Sequence, residues 1–142
     1  MALGRNGLRL TGTPRLLERP LSAPYPVARE GAGYRITEPL TPGRYALRGD
    51  ETSQTVSGLL LALPLLAEPS ELVLTTPLVS RAYVDMTLDA LRRHGVTVQP
   101  TETGWRIPAP QVFQPDESPV EGDWSAGGWW LAANALQGGG VT

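Results

Sequence analysis

The residues best placed to do chemistry lie where capping types run into an apolar helical pattern. Asp50-Glu51-Thr52-Ser53-Gln54 precedes Val56, Leu59, Leu60, Leu63 and Leu66, which recur at three- and four-residue spacing. Asp50, Thr52 and Ser53 are all good N-cap types. A helix starting there presents unpaired N–H donors and the positive end of its dipole, and adjacent hydroxyls add donors aimed at the same point. That is the chemistry of holding an anion. The competing reading is an ordinary N-cap with no ligand. Gln54 carries donors and an acceptor on one amide, suited to a bound molecule, or it faces solvent from the first turn. Glu121 and Asp123 resemble a carboxylate pair for acid/base work, although a solvated turn explains them better. Trp124, Trp129 and Trp130 stand at helical spacing beside Leu131 and Leu136 and read as core or as an exposed former interface rather than a stacking platform.

Composition removes whole classes of function. The 142 residues contain no cysteine, which excludes disulfides, thiolate catalysis and cysteine-based zinc sites, and the single histidine, His94, cannot make a metal site unaided. Twelve basic residues, none of them lysine, against fourteen acidic ones give a formal charge of −2. No general field collects nucleic acid or anionic membrane, so any anion site must be local. The apolar run from Leu59 past Pro64 to Ala67 is too short to span a bilayer, and the N-terminus lacks a secretory pattern. The expectation is a cytoplasmic, single-domain protein over 1–142.

The elements follow from period and punctuation. Gly7 to Thr11 alternates and reads as a strand entering a turn at Gly12-Thr13-Pro14, which carries Arg15. From 19 to 42 prolines allow only short strands near 26–28 and 34–37. Arg44 to Arg48 reads as a strand, and the helix starting near Thr52 should kink or end near Leu63 because of Pro64. A strand at 71–75 and an amphipathic helix at about 82–94 follow. That helix has Val84, Met86 or Thr87, Leu88 and Leu91 inward, and Gly95 supplies its left-handed stop. Strands at 96–98 and 105–107 complete a βαβαββ order over 44–110. The stretch 118–123 reads as a further strand and 125–136 as a third buried helix, ended by Gly138-Gly139-Gly140. The fold class expected is α/β, in the α+β sense.

Four ordered segments resemble the 5-enolpyruvylshikimate-3-phosphate synthase family: Leu10 to Pro20 (LTGTPRLLERP), Gly49 to Gln54 (GDETSQ), Leu78 to Leu88 (LVSRAYVDMTL) and Val120 to Ser125 (VEGDWS). The resemblance covers nearly the whole chain. It implies an inside-out α/β barrel type of fold, with two domains each built from three βαβαββ units. Residues 44–110 would be one complete unit, and 1–48 a partial one whose Pro-rich stretch 20–42 lacks the usual helix and strand. Residues 118–142 would lead toward a second domain absent from this chain. The implied reaction moves the enolpyruvyl group of phosphoenolpyruvate to shikimate 3-phosphate, without metal or organic cofactor, in aromatic amino-acid biosynthesis.

Residue by residue, Thr52 and Ser53 match a pair that binds the phosphate of shikimate 3-phosphate, with Thr52 adding a methyl group to the usual Ser. Gln54 matches a residue lying between the two substrates. Ser80 and Tyr83 match a phosphate ligand and a neighbouring contact at a second helix start that would point at the same anion. Ala82 stands where the family commonly has Pro. Arg15 matches an arginine that engages phosphoenolpyruvate, for which a guanidinium fork is suited. Other family segments that carry lysines, arginines and a phosphoenolpyruvate loop have no counterpart here. The chain alone is therefore expected to bind shikimate 3-phosphate weakly, to bind phosphoenolpyruvate weakly if at all, and to turn over neither. A non-catalytic scaffold, pairing with itself or with a complementary domain, is the rival reading. A related transferase acting on a nucleotide sugar fits the quoted segments less well.

Overall fold

The computed structural model describes residues 7–18, 26–120 and 122–137. Strand β1 (Leu8–Thr11) leads into a one-turn helix α1 (Arg15–Glu18), and β2 (Val27–Glu30) and β3 (Gly33–Ile36) form a hairpin. These strands make an antiparallel sheet in the order β1-β3-β2. The sequence reading saw only a turn at α1; Leu16 and Leu17 bond back to Thr13 and Pro14 and wind that turn once. Of the Pro-rich stretch, residues 20–25 lie outside the described part.

The second sheet holds β4 (Arg44–Leu47), β5 (Ser70–Leu74), β6 (Gln99–Pro100) and β7 (Gly104–Ile107) in the order β4-β5-β7-β6. Strands β4 and β5 are parallel, with Leu47 opposite Leu74, and the other pairs are antiparallel. Helix α2 (Ser53–Ala62) connects the parallel pair, and α3 (Arg81–Arg93) connects β5 to β6. The chain from 44 to 107 thus runs β-α-β-α-β-β. Tyr45, Leu47, Leu72, Trp105 and Ile107 from the sheet meet Val56, Leu59 and Leu60 of α2 and Val84 and Leu91 of α3 in one core. Pro64 ends α2 as its missing N–H requires, and the chain closes with a 3-10 turn at Leu63–Leu65.

Three expectations need correction. The strand expected at 96–98 starts later, at Gln99. Gly95, at φ +73°, ends α3 with its N–H on the carbonyl of Arg92 while that of Val96 reaches Leu91, so Val96 is consumed by the helix terminus. Both backbone groups of Thr97 are then taken by the side chain of Gln111, at 2.7 and 2.9 Å. No strand forms at 118–120 or 122–123, and Glu121 lies outside the described residues. Asp116 instead folds a local turn onto Ser118, and Pro119 has no N–H for a ladder. The helix expected at 125–136 exists as α4 (Trp124–Gln137), but it buries none of its residues. Trp124 and Trp129 are each 79% exposed and Leu136 87%. The glycines expected to end it, 138–140, are outside the described part.

Leu60 is fully buried between α2 and the sheet, so Leu60→Ala should lower unfolding stability by about 2–5 kcal/mol in urea titrations. Leu136→Ala on exposed α4 should change it by less than about 0.5 kcal/mol.

Candidate functional site

Parallel pairing decides where the helices begin. β4 and β5 end side by side, and each chain turns back through a short loop, residues 48–52 and 75–80, into its helix. Both helix N-termini therefore lie at one edge of the sheet. At the first, Thr52 is extended (φ −159°, ψ 134°), and its hydroxyl oxygen accepts from the N–H of Gln54 at 3.1 Å. This is the capping geometry its residue type led one to expect. At the second, Ser80 heads α3 at φ 55°, ψ 42° and makes no side-chain capping bond. It is the one non-glycine residue at positive φ among the described residues. A left-handed residue followed by right-handed ones turns successive N–H groups toward one side, a shape suited to an anion.

The two loops are stitched together. The Oγ1 of Thr76 accepts from the N–H groups of Gly49 and Asp50, at 2.9 and 3.2 Å, and donates to the carboxylate of Asp50 at 2.9 Å. The N–H of Val79 donates to the carbonyl of Gly49 at 2.9 Å, and that of Thr75 to Leu47 at 2.8 Å. Gly49 is required here by space. A Cβ on it would stand 2.6 Å from the carbonyl oxygen of Thr76 and 2.9 Å from that of Pro77. Neither Thr76 nor this role of Gly49 was found from sequence. A threonine in a strand-to-helix loop carries no periodic signal, and Gly49 entered the sequence reading only as the first residue of the segment 49–54.

Asp50 would repel an anion if left alone. Arg48 grips it in a bidentate pair, at 3.0 and 2.7 Å. That pair, together with the hydroxyl of Thr76, holds the Asp50 carboxyl below its ordinary value, while Asp50 holds the Arg48 guanidinium above its own. The same guanidinium stands 3.6 Å from Glu51, so one cation faces both acids of the loop.

Below these helix starts a cleft of 660 Å³ runs between α2 and α3. It is lined by Ser53, Gln54, Ser57 and Leu61 on one side and Tyr83, Met86, Thr87 and Ala90 on the other. Of the expected residues, Ser53, Gln54 and Tyr83 share this cleft, and Thr52 and Ser80 head the two helices. Arg15 heads α1 on the other sheet; it is exposed and does not line the cleft. A cavity of 730 Å³ at the far end of α3 has two arginines, but they are engaged, Arg92 with Asp89 and Arg93 with Asp116. His94 is occupied as well, its Nδ1 lying 2.7 Å from the carbonyl of Gln114. Asp123 caps α4 through the N–H groups of Ser125 and Ala126, which is a structural task rather than acid/base chemistry. Among the described residues, no three His, Cys, Asp or Glu stand together to hold a metal ion, and no helix is long and apolar enough to cross a membrane.

Thr76→Val keeps the shape but leaves two backbone donors without their acceptor. It should cost about 1–3 kcal/mol in denaturant unfolding, with Thr76→Ser close to wild type. Because the folded carboxyl of Asp50 titrates below its unfolded value, its stabilisation is complete above the ordinary carboxylate range. It is lost as pH falls through the lowered value. Thermal melts from about pH 6 to about pH 3 should therefore fall less steeply in Asp50→Asn than in wild type.

Comparison with known proteins agrees with this architecture. The profile of the EPSP synthase (3-phosphoshikimate 1-carboxyvinyltransferase) family matches residues 2–142. The 3-phosphoshikimate 1-carboxyvinyltransferase of Methanocorpusculum labreanum is 38% identical over 138 aligned positions, covering 90% of this chain and 33% of that protein. That of Clostridium kluyveri is 39% identical over 146 positions, covering 95% of this chain and 34% of the relative. The structure of EPSP synthase from Acinetobacter baumannii superposes with a TM-score of 0.64 at 18% identity, over 95% of this chain and 32% of that one, a likeness of fold. The chain spans about a third of the length of these relatives. With its profile match running from residue 2 to residue 142, the chain belongs to the EPSP synthase family.

Proposed function

We propose that this chain supplies the surface that holds shikimate 3-phosphate in an enolpyruvyl transferase of the shikimate pathway. The observation that carries the reading is the pair of helix N-termini held at one sheet edge, above a cleft lined by Ser53, Gln54 and Tyr83. In this reading the phosphate accepts from the hydroxyls of Thr52, Ser53 and Ser80 and from first-turn N–H groups other than those of Gln54 and Tyr83, which Thr52 and Ser80 already hold, and the two dipoles favour its charge. Gln54 and Tyr83 contact the rest of the molecule, with Gln54 also facing phosphoenolpyruvate. Arg15 would engage phosphoenolpyruvate only if another part of the site brought the two together. Tyr83 is 66% exposed, so the cleft by itself does not exclude water. Moving an enolpyruvyl group requires charged groups preorganised on both sides of a closed site. The chain alone is therefore a binding surface and not a catalyst.

Amide shifts during titration with shikimate 3-phosphate test this. Saturable movement at 52–54, 80 and 83, with a dissociation constant on the order of 1 mM, is expected for one wall of a site. Unmoved amides at several times that concentration would count against it. Phosphate release from shikimate 3-phosphate and phosphoenolpyruvate above a protein-free blank would overturn the claim of inactivity.

One observation favours a second reading, a scaffold that pairs with itself or with a complementary domain. α4 carries no charged residue, and it exposes Trp124, Trp129, Trp130 and Leu131. Under that reading the titration moves none of the five amides.

A further inference from the structure

The cleft holds two hydroxyls to which the binding scheme gives no part. We propose that Ser57 and Thr87 are positioning residues that set the distance between Gln54 and Tyr83; this rests on the reading that the cleft takes a phosphorylated ring. Ser57 follows Gln54 by three residues on α2, and Thr87 follows Tyr83 by four on α3. Each therefore stacks one turn below a proposed contact, on the same helix face. The oxygens of Ser57 and Thr87 are 2.8 Å apart, joining the helices across the cleft, and Thr87 Oγ1 is also 3.0 Å from the carbonyl of Tyr83. One proton order satisfies both contacts: Ser57 donates to Thr87, and Thr87 donates to the Tyr83 carbonyl.

The reason for a polar link here is directional. Val56 and Leu60 pack α2, and Val84 and Leu91 pack α3, into the common core, but apolar contact tolerates small sliding between helices. A hydrogen bond in a half-buried groove does not, because its strength falls steeply with distance and angle. The loop stitch at Thr76 fixes the helix starts, and the hydroxyl bridge fixes the next turn. Between them lie the residues proposed to touch the ring. The phosphate needs only the helix starts, whereas the ring needs the correct spacing of Gln54 and Tyr83. A positioning role therefore separates two ligands that share the phosphate.

Inorganic phosphate and shikimate 3-phosphate are titrated separately into wild type, Thr87→Val, Thr87→Ser and Ser57→Ala, followed by amide shifts. Unchanged dispersion of core resonances shows that each variant is folded. Thr87→Val should weaken shikimate 3-phosphate about five-fold, the weight of one ordinary hydrogen bond, and leave inorganic phosphate unchanged. Ser57→Ala should do the same, and Thr87→Ser should restore wild-type affinity. Wild-type affinity of Thr87→Val for shikimate 3-phosphate overturns the positioning role, as does equal weakening for both ligands, which would mark a general loss of structure. Failure of wild type to bind shikimate 3-phosphate overturns the underlying reading as well, and that is seen before any variant is compared.

Discussion

The site depends on one constraint, the parallel neighbourhood of β4 and β5. Antiparallel strands would send their following helices off opposite edges of the sheet. Parallel strands with Leu47 beside Leu74 send both helices from the same edge, and the shared apolar core holds them side by side. The loop contacts are consequences of that placement. Thr76 can reach the backbone of Gly49 and Asp50 only because the two strand ends are adjacent, and Gly49 must be glycine because the second loop passes directly over it. A substitution in the pairing would therefore reach the proposed anion site without touching any residue proposed to bind.

Electrostatically, the proposed anion site has no positive field to draw on. The chain's formal charge is −2, it has no lysine, and two carboxylates, Asp50 and Glu51, sit in the loop that leads into α2. Two devices offset this. Arg48 pairs with Asp50 and also stands 3.6 Å from Glu51 while remaining in solvent, so it offsets part of the loop's negative charge at little desolvation. The attraction then comes from oriented backbone dipoles, which act within the first turn and carry no net charge. Selectivity in the proposed site would come from geometry, since the oxygens of an anion would have to meet two helix starts at one sheet edge.

Much of this was legible in the sequence, and the exceptions share a cause. The helix α2, its cap at Thr52, the inward face of α3 at Val84, Leu88 and Leu91, and the stop at Gly95 are local, set by spacing and residue type. The contacts at Thr76, Ser57 and Thr87 join residues 26 to 30 positions apart, and no periodicity reports them. The strand expected at 96–98 failed for a related reason. The Gln111 side chain, distant in sequence, took the backbone groups of Thr97 that a neighbouring strand would need. α4 was read as a helix correctly and as buried wrongly, because period and apolarity describe a surface that would be favourable to cover and not whether this chain covers it.

Ser80 shows what the stitching achieves energetically. A left-handed conformation costs a non-glycine residue on the order of 1–2 kcal/mol, and a serine that spent its hydroxyl on capping could offset part of that. Ser80 makes no such bond. The strain is instead maintained by its surroundings, with Val79 tied to Gly49 immediately before it and the N–H of Tyr83 donating to the Ser80 carbonyl after it. Strain held by the scaffold is already present before a ligand arrives, so binding need not supply it. The proline-free turn at Ala82 makes this more telling: ring rigidity does not hold the start of α3, and the cross-loop bonds must. The conformation of Ser80, the residue that precedes α3, is thus set largely by α2's loop, which makes the two helix starts a single structural unit rather than two independent caps.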